Sequence, residues 1–223
     1  MQQKSHSTLQ RRKVTARSTL PLFFLLLFAS LIAAYGHAED AQGKSILVFG
    51  DSLSAAYGID EEAGWVNLLA EQMIIRELPH RVSNASVSGE TTSGGLARLP
   101  AILDQQKPDI VILELGGNDG LRGLPIRNIR QNLLAMIDLI EASGAQTILA
   151  GIQIPPNYGP RYTGPFASIF PEIAQERDLL LVPFLIEGIP EHAELMQNDG
   201  IHPVAEAQPI VVENVWPVLE RAL

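Results

Sequence analysis

The stretch Ser45-Ile-Leu-Val-Phe-Gly-Asp-Ser-Leu-Ser54 carries the strongest information about the fold. Its apolar run from Ile46 to Phe49 predicts a strand buried on both faces, as in the parallel sheet of an α/β protein. Gly50 and Asp51 form a turn signal that ends this strand just before Ser52. Ligands of open α/β sheets bind outside the carboxyl ends of the strands, where this serine falls. Ser52 is therefore either a functional hydroxyl or only the cap of a following helix.

Further strand signals alternate with helical patterns along the rest of the chain. Strands are predicted at 80–86, 110–115, 147–152 and 179–183, and helices at 64–77, 92–106, 125–142, 165–178 and 205–223, with a short helix at 191–197. This alternation is typical of βαβ units. We therefore expect a three-layer α/β/α fold with a five-stranded parallel sheet, forming one domain over residues 39–223.

The N-terminal segment has the three parts of a secretory signal. Residues 1–19 contain basic residues and no acidic one, an apolar run extends from Leu20 to Ala34, and the small-residue stretch Gly36-His37-Ala38 follows. We predict a signal peptide at 1–38 and a periplasmic or secreted protein. The apolar run is short for a membrane span, and an uncleaved N-terminal anchor is the alternative.

The charge of the mature chain argues against several partners. The chain has 16 basic and 25 acidic residues; loss of the signal removes 5 basic residues and leaves 11 against 25, a net charge of −14. Such a domain repels nucleic acid and anionic lipid surfaces. We expect no nucleic-acid binding and no stable membrane insertion after signal removal. Cysteine is absent, which excludes a thiolate nucleophile and cysteine-ligated zinc.

The carboxyl ends of the predicted strands should share one edge of the sheet, and four polar stretches are expected there. They are Ser52, Ser88-Gly89, Asn118-Asp119 and the segment from Asp199 to His202. A serine hydroxyl is a weak nucleophile at neutral pH and needs a base. His202 is the candidate base, and Asp199 would orient its ring. The alternative is a surface histidine beside an aspartate that caps a helix.

A tetrahedral intermediate also needs fixed donors for its developing negative charge. Gly89 can bring its N–H close to a ligand without a Cβ in the way, and Asn118 can offer its side-chain amide. Ordinary turn chemistry explains both residues as well. A Pro/Gly-rich loop is predicted at 153–164, after the fourth strand, and loops of this length are often functional.

In four stretches the sequence resembles the SGNH hydrolases, also called GDSL esterases and lipases. These stretches are Gly50-Asp51-Ser52-Leu53, Gly89 in Ser-Gly-Glu-Thr, Gly117-Asn118-Asp119 and Asp199-Gly200-Ile201-His202-Pro203, and they occur in the family order. Residues 115–123, with Asn157-Tyr158-Gly159 and Arg161-Tyr162, resemble the periplasmic thioesterase and lysophospholipase members.

The resemblance implies a flavodoxin-like SGNH hydrolase fold and a role for each site residue. Ser52 would be the nucleophile and, through its N–H, the first oxyanion donor, with Gly89 and Asn118 as the other donors. His202 would be the general base and Asp199 its orienting carboxylate. No metal or cofactor is implied, and the loop at 153–164 would close over the acyl chain.

Residues and resemblance together predict a serine hydrolase that cleaves acyl esters and thioesters, including aryl esters and lysophospholipids, through an acyl-enzyme. We expect a monomer that acts on a small-molecule ester or lysolipid. Because the domain is acidic, we expect uncharged esters to be preferred over polyanionic acyl-CoA. The alternatives are a carbohydrate O-deacetylase with the same residues and a non-catalytic, flavodoxin-like binding protein.

Overall fold

A computed structural model describes residues 43–223 of the chain, so the signal peptide predicted at 1–38 lies outside the described residues. One parallel sheet is formed by β1 Ser45–Gly50, β2 Arg81–Asn84, β3 Ile110–Glu114, β4 Gln146–Ala150 and β5 Leu180–Val182. The strands lie in the order β2-β1-β3-β4-β5. This is the flavodoxin-like order, in which the direction of winding reverses between β1 and β3. In sheets of this kind, ligands bind in a crevice outside the carboxyl ends of the strands at that point.

Helices cover both faces of the sheet. The described chain contains α1 Trp65–Ile75, α2 Thr92–Gln106, α3 Gly117–Leu121, α4 Ile126–Ala142, α5 Pro160–Arg177 and α6 Gln208–Leu219. Short 3₁₀ turns lie at Glu61–Ala63, Pro156–Tyr158, Ala193–Leu195 and Ala205–Ala207. The prediction of a three-layer α/β/α fold with five parallel strands is confirmed.

Side-chain alternation along β1 explains the three layers. Ile46 and Val48 point to one face and pack in a cluster with residues of α1 and α6. Leu47 and Phe49 point to the other face and pack with residues of α2, α4 and α5. All four side chains are fully buried. A strand covered on both faces must be apolar at every position, which is why the unbroken run predicted it.

The predicted boundary between the loop at 153–164 and the next helix is wrong. α5 begins at Pro160, and Pro165 lies inside it. An interior proline removes a helical hydrogen bond, so the sequence favoured a helix start at Pro165. The buried face of α5, which includes Phe166 and Phe170, packs against the sheet and sustains the helix across that position.

Two further local features differ from the sequence analysis. α3, at Gly117–Leu121, is not among the predicted helices, and it starts directly after Gly116. Gly116 has a φ of 123°, which a residue with a Cβ rarely adopts, and this lets the chain turn at once from strand to helix. The short helix predicted at 191–197 is only the 3₁₀ turn Ala193–Leu195.

Candidate active site

His202 joins Ser52 to Asp199 through hydrogen bonds at both of its ring nitrogens. Its Nε2 lies 2.8 Å from the Oγ of Ser52, and its Nδ1 lies 2.6 Å from Oδ2 of Asp199. The second carboxylate oxygen accepts from the N–H groups of Ile201 and His202 at 2.9 and 3.0 Å. Ser52 caps no helix in the described chain, because residues 51–58 form turns. The short spacing from Asp199 to His202 therefore lets the carboxylate hold both its own loop and the imidazole.

The surroundings of Asp199 favour its ionised form, which can stabilise a protonated imidazole. Partial burial acts to raise its pKa, but the hydrogen bonds from the His202 ring and from the two backbone N–H groups outweigh burial and hold the pKa below its ordinary value. An ionised carboxylate at Nδ1 keeps the other ring nitrogen free to accept the serine proton. The arrangement can therefore support general-base activation of Ser52.

Gln197 ties the histidine loop to the serine turn. Its backbone N–H donates to the carbonyl of His202 at 2.7 Å. Its side-chain amide donates to the carbonyls of Tyr57 at 2.8 Å and Pro203 at 3.1 Å. The Tyr57 ring in turn lies against the imidazole, with the ring centroids 4.5 Å apart. Sequence reasoning missed Gln197 and Tyr57, which are 140 positions apart and belong to no motif.

Two backbone N–H groups in the turns that follow β1 and β2, those of Ser52 and Gly89, are available to a ligand. Gly89 has a φ of 81° in a turn closed by a 3.1 Å hydrogen bond from Glu90 N–H to the Val87 carbonyl, a position that favours glycine. Its own carbonyl accepts from Arg122 at 3.2 Å. Among residues 43–223, the N–H groups of Ser52 and Gly89 donate to no protein acceptor.

The side chain of Asn118 points towards the turn that contains Asp51 and Ser52. Its Nδ2 donates to Oδ2 of Asp51 at 3.0 Å, which uses one amide hydrogen and leaves the second for a ligand. The neighbouring Asp119 has a different role, because its carboxylate accepts from the Thr92 N–H and hydroxyl at 2.8 and 2.7 Å and so holds the start of α2. Of this polar pair, only Asn118 contacts the turn that contains Ser52.

A cavity of about 290 Å³ opens beside Ser52. Residues following β4 and β5 supply much of its apolar wall, including Ile152, Ile154, Phe184 and Leu185. The first part of the loop predicted at 153–164 thus lines the cavity, whereas its last part belongs to α5. Apolar walls with a few polar groups at one end are typical of small-molecule sites.

A model of one protein family, the GDSL-like Lipase/Acylhydrolase family, matches residues 48–208. The chain belongs to this family. Esterase TesA from Pseudomonas aeruginosa is 47% identical over 198 residues, covering 89% of this chain and 98% of that protein. Thioesterase 1/protease 1/lysophospholipase L1 from Escherichia coli strain K12 is 41% identical over 194 residues, covering 87% and 88%. The structure of psychrotrophic esterase EstA from Pseudoalteromonas sp., inhibited by monoethylphosphonate, superposes with a TM-score of 0.77 at 43% identity, covering 80% of this chain and 97% of that one.

As a GDSL-like acylhydrolase, the protein is a carboxylic ester hydrolase, which confirms the class of enzyme predicted from the sequence. Family membership also decides against a non-catalytic binding protein. Within residues 43–223, no three His, Asp or Glu side chains lie close enough to hold a metal ion together. No helix in that part of the chain is both long and apolar enough to span a membrane.

Asp51 and Glu114 are two buried carboxyl groups at the turn that contains Ser52. Burial raises the pKa of Asp51 to about 6, although hydrogen bonds from Leu53 N–H and the Asn118 amide act against this. The nearby His202 also lowers the pKa of Asp51, and the nearby Asp119 raises it. The sequence did not predict this pair. Asp51 lies in the recognised motif, but Glu114 is a single acidic residue at the end of an apolar strand and belongs to no motif.

We predict that the free energy of unfolding of the wild type, relative to Asp51→Asn, increases as the pH falls. An acid with a higher pKa in the folded state binds protons preferentially to that state. Its contribution to stability therefore falls as pH rises from the unfolded pKa to the folded pKa. For a change from 3.8 to about 6, the wild type should gain up to about 3 kcal/mol over Asp51→Asn between pH 7 and pH 4. Urea unfolding between pH 7 and pH 4 measures the difference in the free energy of unfolding between the two proteins. A difference that does not change with pH would contradict the prediction.

Proposed function

We propose that the chain is a serine acyl-ester hydrolase with Ser52 as nucleophile, His202 as general base and Asp199 as orienting carboxylate. The observation that carries the proposal is the continuous hydrogen-bonded series from Ser52 Oγ through the imidazole to Asp199, at 2.8 and 2.6 Å. These distances are those of a nucleophile and base within direct proton-transfer reach. The apolar cavity beside the serine gives an acyl chain a place to bind.

In the proposed reaction, His202 Nε2 accepts the hydroxyl proton of Ser52 as Oγ attacks the acyl carbonyl carbon. The N–H groups of Ser52 and Gly89 and the amide of Asn118 donate to the resulting oxyanion. Collapse of the intermediate breaks the bond to the alcohol or thiol, which leaves with the proton from His202. Water then attacks the acyl-enzyme, again with His202 as base, and releases the free acid.

For the substrate, we propose acyl esters and thioesters, including aryl esters and lysophospholipids. The relative from Escherichia coli is named a thioesterase and lysophospholipase, which supports this range. The acidic domain supports a preference for uncharged esters over acyl-CoA at low salt. Kinetics with p-nitrophenyl esters from acetyl to palmitoyl, a lysophospholipid, an acyl-CoA and an acetylated polysaccharide would rank these substrates. Activity confined to acetyl groups would instead support a carbohydrate O-deacetylase.

We also propose that residues 1–38 are a signal peptide, that 39–223 form the hydrolase domain, and that the mature enzyme is a periplasmic or secreted monomer. The basic, apolar and small-residue order of the N-terminal segment supports export. The family match, which begins at residue 48, supports the domain boundary. Mass spectrometry of the exported protein measures the cleavage position, and light scattering measures its mass in solution.

A serine-directed phosphonate tests the assignment of the nucleophile. EstA is inhibited by monoethylphosphonate, which supports this choice of probe. We expect one phosphonate per molecule on the peptide that contains Ser52, with loss of activity in proportion, and no adduct on Ser52→Ala. Full inactivation with the adduct on a different residue would contradict the assignment.

We predict that Asn118→Ala lowers kcat by about 10²- to 10³-fold, the usual effect of removing one oxyanion donor. KM should change little, because the donor acts mainly on the transition state. Steady-state kinetics on an aryl ester measures both. Asn128→Ala is the matched control, since Asn128 is exposed on α4. A loss of kcat below about tenfold in Asn118→Ala, or an equal loss in both variants, would argue against a role of Asn118 as an oxyanion donor.

A further inference from the structure

Glu114, the last residue of β3, is a buried carboxyl that has no part in the proposed reaction. Its side chain is fully buried. Its Oε2 accepts from the backbone N–H of Asp51 at 3.1 Å and from the hydroxyl of Ser54 at 2.7 Å. These two donors lie on either side of Ser52 in the chain. One carboxyl oxygen therefore holds the serine turn at two points.

This contact depends on Gly50. Gly50 and Glu114 are direct partners in the register of β1 and β3. A Cβ at position 50 would collide with Oε2 of Glu114 and would also lie 2.9 Å from Oγ of Ser54. The site therefore requires a glycine at position 50, because only a residue without a Cβ lets the Glu114 carboxyl reach the turn.

The surroundings of Glu114 favour the uncharged acid. Its Oε1 is buried and has no hydrogen-bond partner among the described residues, which is costly for an ionised oxygen. Burial, and after it the charge of Asp51, hold the pKa of Glu114 well above its ordinary value. Asp51 is the better site for a negative charge, since it accepts from Leu53 N–H and the Asn118 amide and lies near His202.

We propose that Glu114 is a positioning residue that works as a neutral carboxylic acid: it holds the Ser52 turn and, through Asp51, the amide of Asn118. The inference rests on the proposed function, because it gives Glu114 a role only if Ser52 is the nucleophile. A neutral acceptor orients Asp51 N–H and Ser54 O–H without adding a second negative charge beside the developing oxyanion. Glu114 itself does not touch the substrate.

Two variants whose side chains are similar in length to glutamate, Glu114→Gln and Glu114→Met, test this directly. The glutamine keeps a neutral acceptor for both donors, and we expect its kcat to stay within about threefold of the wild type. The methionine removes the acceptor, and kcat should fall by on the order of 10²-fold with little change in KM, because misplacement of reacting groups by about 1 Å has that effect. Equal loss in both variants would show that the charge is required and would overturn the proposal. So would a methionine variant with wild-type kcat.

Should Glu114→Met fail to fold, Ser54→Ala replaces it, because it removes one of the two donors. Its kcat should fall about five- to tenfold, as expected for one hydrogen bond, and an unchanged kcat would count against the proposal.

Carbon-13 NMR of labelled glutamate carboxyls, with Glu114→Gln used for assignment, measures the protonation state of Glu114. We expect a protonated carboxyl at neutral pH, and an ionised one would overturn the inference. Phosphonate labelling of wild-type Ser52 separates this inference from the proposed function. If Ser52 forms no adduct, the proposed nucleophile is wrong. If Ser52 forms the adduct but the Glu114 variants or the NMR measurement give the contrary result, only the inference about Glu114 is wrong.

Discussion

Ser52→Ala is expected to lower kcat by about 10⁶-fold, the effect seen when the nucleophile of a serine triad is removed. The substitution deletes the oxygen that we propose forms the acyl-enzyme, while the proposed donors to the oxyanion stay in place. The thermal midpoint should stay within a few degrees of the wild type. Hydrolysis of an aryl ester and a thermal melt measure the two quantities.

Ser168→Ala is the control for this prediction. Ser168 is exposed on α5, and its hydroxyl donates only to the carbonyl of Gly164, at 3.1 Å. We expect wild-type kcat for that variant. A large loss of stability in Ser52→Ala would mean that the hydroxyl has a structural role, and residual activity above a few per cent would mean that another group is the nucleophile.

Asp199→Asn should lower kcat by about 10³- to 10⁴-fold despite its small change in size. The amide presents an N–H where the carboxylate now accepts, so Nδ1 of His202 is no longer held as the donor. The opposite tautomer places a proton on Nε2, which can then no longer accept the proton of Ser52. The rate of phosphonate labelling of Ser52 should fall together with kcat, since both need the activated serine.

Glu194→Gln is the matched control for Asp199→Asn, since Glu194 is an exposed carboxylate on the same loop and lies 3.6 Å from the ring of His192. Its kcat and labelling rate should equal those of the wild type. If Asp199→Asn labels at the wild-type rate, the carboxylate does not orient the base. If both variants lose activity equally, the effect comes from the general charge of the loop.

The class of fold and of enzyme could be predicted from local patterns. A strand buried on both faces must be apolar at each position, and the run from Ile46 to Phe49 is unbroken. α2 occupies the predicted range, because Thr91 caps it and accepts from Gly94 N–H at 3.2 Å. Ser52 and His202 could be named as candidates because each lies in a short stretch with turn residues, and such stretches at strand ends point to one edge of the sheet.

Sequence periodicity alone did not predict the parts of the site that depend on distant neighbours. Pro165 marked a helix start locally, yet packing of α5 against the sheet extends the helix back to Pro160. Nothing near Gln197 predicts its hydrogen bond to the carbonyl of Tyr57, which forms only because the loop after β5 returns across the strand ends to the serine turn.

Periodicity and short motifs were sufficient to predict the five strands, the longer helices, the family and the candidate residues. Which polar groups meet could be seen only in the folded chain. Glu114 is one acidic residue at the end of an apolar strand, and it becomes a buried partner of Asp51, 63 positions away, because β1 and β3 pair with Gly50 opposite it. Burial and hydrogen bonding arise from such pairings between distant segments, and they set both the pKa of a carboxyl and the position of the turn that contains Ser52.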